Sequence, residues 1–353
     1  MGWILIDGKS KRQLIFEILL LHSGAGSSRN KDMNRMTENT IRVGISSCIL
    51  GERVRYDGGH KEDRFLTGTL AQFVEFVPVC PEVEVGMGIP RETVRLVKGE
   101  DGKTRMVAPK SETDHTTKMR RFAKKRVREL EPLGLCGYIL QKGSPSCGME
   151  RVKVYSPGGM PEKSGRGLFA EALMERYPDL PVEEDGRLND PRLRENFFVR
   201  LFAYRRLQDL WNSRWRAGDL VRFHTAEKLL LMGHDRKGYD ALGQIVANPK
   251  AWTRKELIAE YSRIFMNTLR KKTTKRKQAN VLQHLLGHFK KILPPDQRQE
   301  LLELIEDYRH GLVPLIVPLT LFRHHVRQQG MEYLQDQVYL QPHPKELMLR
   351  NHV

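Results

Sequence analysis

The sequence is poor in cysteine. Four thiols in 353 residues are too few for a disulfide framework, and none of them stands in a C-x-x-C pair. Free thiols then imply a reducing, cytoplasmic setting, in which they can bind metal or react. A membrane span is also missing. The longest apolar run near the start, Leu14 to Leu21, is too short and holds Glu17. Lys9, Lys11 and Arg12 precede that run as in a signal peptide, but the acidic interruption and the polar stretch that follows do not fit one. Residues 1–40 read as a disordered extension, or the chain starts at Met33 or Met36. Internal repeats and low-complexity tracts are absent.

Positive charge is plentiful and unevenly placed. The net charge is +17. From Pro191 to Val353 there are 29 Lys/Arg against 16 Asp/Glu, whereas residues 1–190 are nearly balanced at 31 against 27. A basic part joined to a nearly neutral one points to a polyanion, most simply nucleic acid, with a solvated charged surface as the plain alternative.

The hydrophobic pattern divides at the same place. Between Ile41 and residue 190, strand-like runs ("IRVGIS", "FVPVC", "GYILQ") alternate with helical periodicity at 65–73, Thr113–Leu130 and Leu168–Tyr177. This predicts an α/β fold, with a mainly parallel sheet and helices on both faces, over 41–190. A hairpin is expected to turn at Glu100-Asp101-Gly102. Residues 191–353 read as an all-α domain. Helices fit Arg254–Lys271, Gln278–Ile292 and Asp296–His310, and another is kinked or delayed by the prolines of "VPLIVPLTLF".

Three cysteines share one context. Cys48, Cys80 and Cys147 each follow an apolar run, directly or through a short turn, so parallel strands could bring them to one rim of the sheet, where ligands gather in such folds. Three converging thiolates make a soft metal or iron–sulfur site, and an incompletely ligated metal can act as a Lewis acid. The competing reading is three small buried hydrophobes. Cys136 stands where a strand begins and reads as structural. Glu82, Glu84, Ser144 and Ser146 supply acid–base and hydroxyl groups beside the thiols. Arg55, Asp57 and His60 lie on a glycine loop and Arg91 in "IPRETVR", as candidates for a phosphate or a base edge. In the basic half, Arg270, Lys271, Lys272, Lys275, Arg276 and Lys277 put six cations in eight residues, a phosphate-contact candidate or a solvated loop.

Three segments together, "VGISSCILGERVRYDGG", "VPVCPEVEVGMGIPRE" and "LQKGSPSCG", resemble the signature of the thiouracil desulfidase family. The stretch from Pro191 onward resembles the helical domain often joined to it, and chains with this two-domain order resemble tRNA 4-thiouridine desulfidases. The resemblance implies a 4Fe-4S cluster on Cys48, Cys80 and Cys147, with one iron free for the substrate's sulfur. It further implies acid–base roles for Glu82 and for a serine, Ser144 or the equally placed Ser146. Contacts to substrate then fall to Ser47, Arg55, Asp57, Arg91 and Ser146. One position departs from the pattern, because Val54 stands where single-domain relatives often carry a cysteine. The implied activity is a non-redox, hydrolytic desulfidase that converts 4-thiouridine in tRNA to uridine and hydrogen sulfide. The alternatives are a desulfidase of free thiouracil or thionucleotides, and a non-catalytic, metal-containing nucleic-acid binder. The expected partner is tRNA or a thiolated nucleoside, and no membrane.

Overall fold

The computed structural model describes residues 40–156 and 159–353; the extension expected over residues 1–40 lies, but for Thr40, outside them. Residues Ile41–Val353 form one compact unit. Eight strands are present among the described residues: β1 (Arg42–Ser46), β2 (Glu75–Val79), β3 (Arg95–Lys98), β4 (Thr104–Val107), β5 (Gly137–Leu140), β6 (Val152–Tyr155), β7 (Glu162–Gly165) and β8 (Val182–Glu184).

The main sheet has the order β2-β1-β5-β8, and every pair in it is parallel. Helices α1 (Pro81–Glu84), α2 (Thr116–Glu129) and α3 (Leu168–Arg176) accompany this half. Ala123 and Val127 of α2 and Phe169, Ala170 and Leu173 of α3 bury against Tyr138, Leu140 and Val79 on one face. The other face is covered by Leu66 and Leu70 and by α4 (Pro191–Asn212), whose Phe197, Phe198, Leu201 and Phe202 pack on Val43, Ile45 and Ile139. Covering on both faces is what makes the strands read as near-continuous apolar runs.

Two details differ from the pattern reading. A second sheet of order β4-β3-β6-β7 stands beside the first, with the expected hairpin as its β3–β4 pair and β3 parallel to β6. Its strands are four residues each and half exposed, too short for alternation to show in sequence. Residues 65–72 form a π turn and a 3-10 turn in place of an α-helix. Only Leu66 and Leu70 of that stretch are buried, which is too little apolar surface to propagate a longer helix.

Seven helices follow α4 to complete the helical half: α5 (Ala217–His234), α6 (Arg236–Ala247), α7 (Arg254–Arg270), α8 (Lys275–His288), α9 (Pro295–His310), α10 (Ile316–Gln328) and α11 (Glu332–Gln335). Asp190 caps α4 by accepting from the amides of Arg192 and Leu193, with Pro191 at the first helical position. The delayed helix begins after Pro314, and Pro318 is absorbed in its first turn. No described helix is long and apolar enough to cross a membrane.

Candidate functional site

Strand order builds the site. β2, β1 and β5 are neighbours and run the same way, so the chain leaves all three at one rim. Cys80 follows the end of β2, Cys48 follows β1 within a 3-10 turn (Ser47–Leu50), and the loop carrying Cys147 follows β5. All three line one cavity of about 290 Å³, together with Ser47, Arg55, Glu82, Arg91 and Ser144. Cys136 sits just before β5, at the opposite end. It is fully buried, with its thiol 3.2 Å from Gln208 Oε1.

The Cys147 loop is clamped from two sides. Ser144 Oγ accepts from the amides of Ser146 (3.2 Å) and Cys147 (3.1 Å). The first amides of α3 donate into the same loop: Leu168 to Pro145 O, and Phe169 and Ala170 to Ser146 O. Helix N-termini carry such unpaired donors, and here the loop's carbonyls satisfy them. Gly143, at φ +69°, supplies the left-handed turn that returns the chain.

Burial pushes Cys48 up to about 12, helped by the neighbouring charge of Cys80. Burial likewise raises Cys80, against the Val83 amide that stabilises its thiolate, and it raises Cys147 well above an ordinary thiol. A cationic group bound among the three sulfurs would reverse that balance.

Glu82 is the best-anchored carboxylate on the cavity. Arg91 pairs with its Oε2 through both Nε (3.1 Å) and Nη2. The same guanidinium donates to the carbonyls of Val54 (3.0 Å) and Gly88 (3.1 Å), so Arg91 is fixed in turn. Ser146 Oγ donates to Glu82 Oε1 at 2.7 Å, and Ser144 Oγ approaches the same oxygen at 3.5 Å. The two serines differ in access: Ser144 lines the cavity, whereas Ser146 is fully buried and does not.

Other expected contacts are distributed less tightly. Asp57 stands outside the cavity lining, capping its own turn through the Gly59 amide and 3.7 Å from Arg55. Its carboxyl lies below the usual range, chiefly through that amide bond. His60 is exposed and accepts from the Glu62 amide. Of the basic run, Arg270 donates to Pro178 O (2.7 Å), Lys271 pairs with Asp235 (2.6 Å) and Lys277 donates to His234 O (2.6 Å). Lys272 and Arg276 are exposed, and Lys275 is half-buried. Trp211 and Trp215 pack edge to face in the helical core at 5.0 Å, leaving Trp252 as the exposed one of the three.

Gln141 and Ser46 are among the site residues that escaped the sequence reading. Gln141 lines the cavity immediately after β5, and the Cys48 thiol lies 3.5 Å from its Oε1. Ser46, the last residue of β1, accepts from the Gln141 amide (3.0 Å) and its hydroxyl reaches the Cys147 thiol. Their position at strand ends is the signal that could have found them.

Among the described residues, no group of three or more His, Cys, Asp or Glu side chains is gathered as ligands of a single metal ion. A cluster imposes a looser requirement, because each cysteine holds a different iron and the sulfurs stand further apart than the ligands of one ion. The Tyr138 hydroxyl adds a second fitting feature. It is buried without a hydrogen-bond partner among the described residues, and after burial itself the charge of Cys147 is the strongest influence on it. A donor left over beside the thiols suits a sulfur acceptor.

Comparison with known proteins matches two segments of the chain. Residues 43–185 match the family model described as 2-thiouracil desulfurase, and residues 228–344 match that of a protein of unknown function, DUF1722. An uncharacterized protein of Escherichia coli (strain K12), YbgA, is 28% identical over 165 residues, which are 46% of this chain and 98% of the relative. Among solved structures, the 4Fe-4S-dependent thiouracil desulfidase TudS is similar at 28% identity, over 43% of this chain and 95% of that one, with a TM-score of 0.35. The chain thus carries one segment that matches the 2-thiouracil desulfurase model and a second that matches the DUF1722 model.

Proposed function

We propose that this protein is an iron–sulfur-dependent desulfidase that removes sulfur from 4-thiouridine in tRNA by hydrolysis. The observation that carries the reading is the meeting of Cys48, Cys80 and Cys147, from three adjacent parallel strands, on the one cavity that also holds Glu82. The match of residues 43–185 to the 2-thiouracil desulfurase model supports the chemistry. The excess of positive charge after Pro191 supports an RNA.

The three cysteines would hold a 4Fe-4S cluster as thiolates. When bound, a cluster with three protein ligands supplies an open Lewis-acid position suited to a soft thione sulfur. Glu82, paired with Arg91 and turned by Ser146, takes a proton from a water that attacks the ring carbon bearing the sulfur. Ser144, on the cavity wall beside Glu82, orients that water. Collapse of the tetrahedral adduct expels sulfur, and the balance is one water consumed, one carbonyl formed and one hydrogen sulfide released. No electron is transferred.

The restricted cavity favours a second substrate class, free thiouracil or thionucleotides, since 290 Å³ admits a base without requiring a polymer. In tRNA the base would have to be flipped or unstacked to enter. The test is sulfide release by anaerobically prepared protein from 4-thiouridine-containing tRNA and, separately, from 4-thiouridine and its monophosphate. Stoichiometric sulfide from tRNA is the expected result. Turnover of the small substrates with none of tRNA would transfer the assignment to free nucleotides, and no sulfide from any of them would remove the reading.

A further inference from the structure

Arg200 occupies an unusual place for an arginine. It lies on α4 where that helix is covered by the main sheet on one side and by the helical core on another, and it is only 7% exposed. Its Nε donates to Asn196 Oδ1 (3.1 Å), one turn back, and among the described residues no carboxylate pairs with it. Burial pulls its guanidinium down to about 10, against the more distant charge of Glu183. Leaving a buried cation uncompensated is costly, so its surroundings invite an anion.

Those surroundings form a cavity of about 440 Å³ between the α/β half and the helical half, against roughly 30 Å³ for a single water. Five cations line it: Arg166, Arg187, Arg200, Arg270 and Lys272. Two carboxylates, Glu175 and Glu183, face them, and Glu183 is already committed to Arg187 at 2.6 Å. Among the described residues, Arg166 and Arg270 are hydrogen-bonded only to backbone carbonyls, of Met149 and Pro178, with the Asp179 carboxyl within electrostatic reach of Arg270.

The cavity also has neighbours. Arg187 lines a second groove of about 590 Å³ that runs along β3 and β6 with Arg95, Lys153 and Lys163. That groove in turn shares Val94, Lys142, Gly143 and Pro145 with the cysteine cavity. The three cavities are thus linked in series by shared lining residues, from the α7–α8 connection to the thiols, with Glu150 and Glu184 standing among the cations of the middle groove.

We propose that the Arg200 cavity is a phosphate-binding site, which grips a backbone phosphate of the RNA substrate and anchors a strand whose target base enters the cysteine cavity. This deepens the RNA part of the proposed function and rests on it for the nature of the polymer. Bidentate guanidinium contacts to phosphate oxygens are the chemistry that Arg200, Arg166 and Arg270 offer together.

The test is equilibrium binding of unthiolated tRNA to the full-length protein, by fluorescence anisotropy across a salt series, for the wild type, Arg200→Gln and Lys272→Ala. Because this RNA carries no thiouridine, the measurement is independent of desulfidation, which has its own sulfide assay. Loss of one phosphate contact lowers the slope of log affinity against log salt by about 0.7–0.9. The expectation is that each variant loses roughly tenfold or less in affinity with a slope reduced by about that much. Lys272 is exposed and makes no hydrogen bond or ion pair among the described residues, so Lys272→Ala keeps the proposal testable should Arg200→Gln unfold. Wild-type affinity and slope in a folded Arg200→Gln protein, or in Lys272→Ala where the first variant is unfolded, would overturn the proposal. Thermal stabilisation by inorganic phosphate or uridine monophosphate that Arg200→Gln abolishes, with tRNA affinity unaltered, would overturn the RNA assignment in favour of a small phosphorylated ligand.

Discussion

The Ser146 carbonyl lies directly over Gly167: a β-carbon on Gly167 would stand 2.4 Å from Ser146 O and 2.8 Å from the Cys147 amide nitrogen. Both neighbours are backbone, so neither can swing aside. Gly167→Ala is expected to push the Cys147 loop off the N-terminus of α3 and to cost about 1–3 kcal/mol. Gly243, inside α6 with nothing within 4 Å of its β-position, is the control. Ala there is expected to be neutral or stabilising by up to ~1 kcal/mol. Thermal melts and bound iron per chain read both effects. Undiminished iron and stability in Gly167→Ala would show that the loop is not held by this contact.

Cysteine replacement separates the rim from the opposite end. Cys48→Ala, Cys80→Ala and Cys147→Ala are each expected to abolish stable iron and sulfide incorporation after anaerobic reconstitution, since two thiolates grip a cluster poorly. Cys136→Ala is expected to retain both, because its thiol faces Gln208 and the core. Should Cys136→Ala lose iron while one of the other three keeps it, the ligand set would have to be redrawn.

The convergence of the cysteines was legible in sequence because it follows from topology: parallel strands export their carboxyl ends to one side, whatever lies between them. Side-chain partnerships were not. Nothing in "IPRETVR" shows that Arg91 folds back on Glu82, since that depends on the path of the loop between them. Ser144 and Ser146 are interchangeable by spacing, yet a loop clamped on α3 turns one to the cavity and buries the other. Arg200 reads as one of several arginines flanking an apolar stripe. It is buried because α4 serves two cores at once, and single-helix periodicity cannot register a helix covered on more than one side.

The Glu82 cluster divides the serines by role. Glu82→Gln is expected to lower kcat by about 10²–10⁴, the range for losing a general base, with cluster absorbance intact. Ser144→Ala is expected to lower kcat as well, by loss of the hydroxyl on the cavity wall. Ser146→Ala removes a 2.7 Å bond that orients the carboxylate from behind, and a smaller loss of kcat is expected, with KM unchanged. Sulfide-release kinetics with 4-thiouridine measure all three. A Ser146→Ala defect larger than that of Ser144→Ala would reverse the assignment.

Acid sensitivity is expected to arise in the helical half. His224, beside the Tyr261 hydroxyl at 3.1 Å, and His234, donating to Lys271 O at 2.7 Å, are both pulled down to about 4, chiefly by burial. In the unfolded chain each titrates near 6.5. Between pH 6.5 and about 4 the unfolded state therefore binds protons that the fold refuses. The neutral histidines contribute their full stability above pH 6.5 and lose it on acidification, at up to about 1.4 kcal/mol per pH unit each. Near pH 4 the loss levels off, since both states are then protonated. Urea midpoints at pH 7, 6 and 5 should fall progressively, and His234→Gln, neutral at every pH, should flatten the slope even if it lowers the midpoint at pH 7. An unchanged slope in that variant would assign the acid sensitivity elsewhere, first to His343, which burial pulls down to about 3.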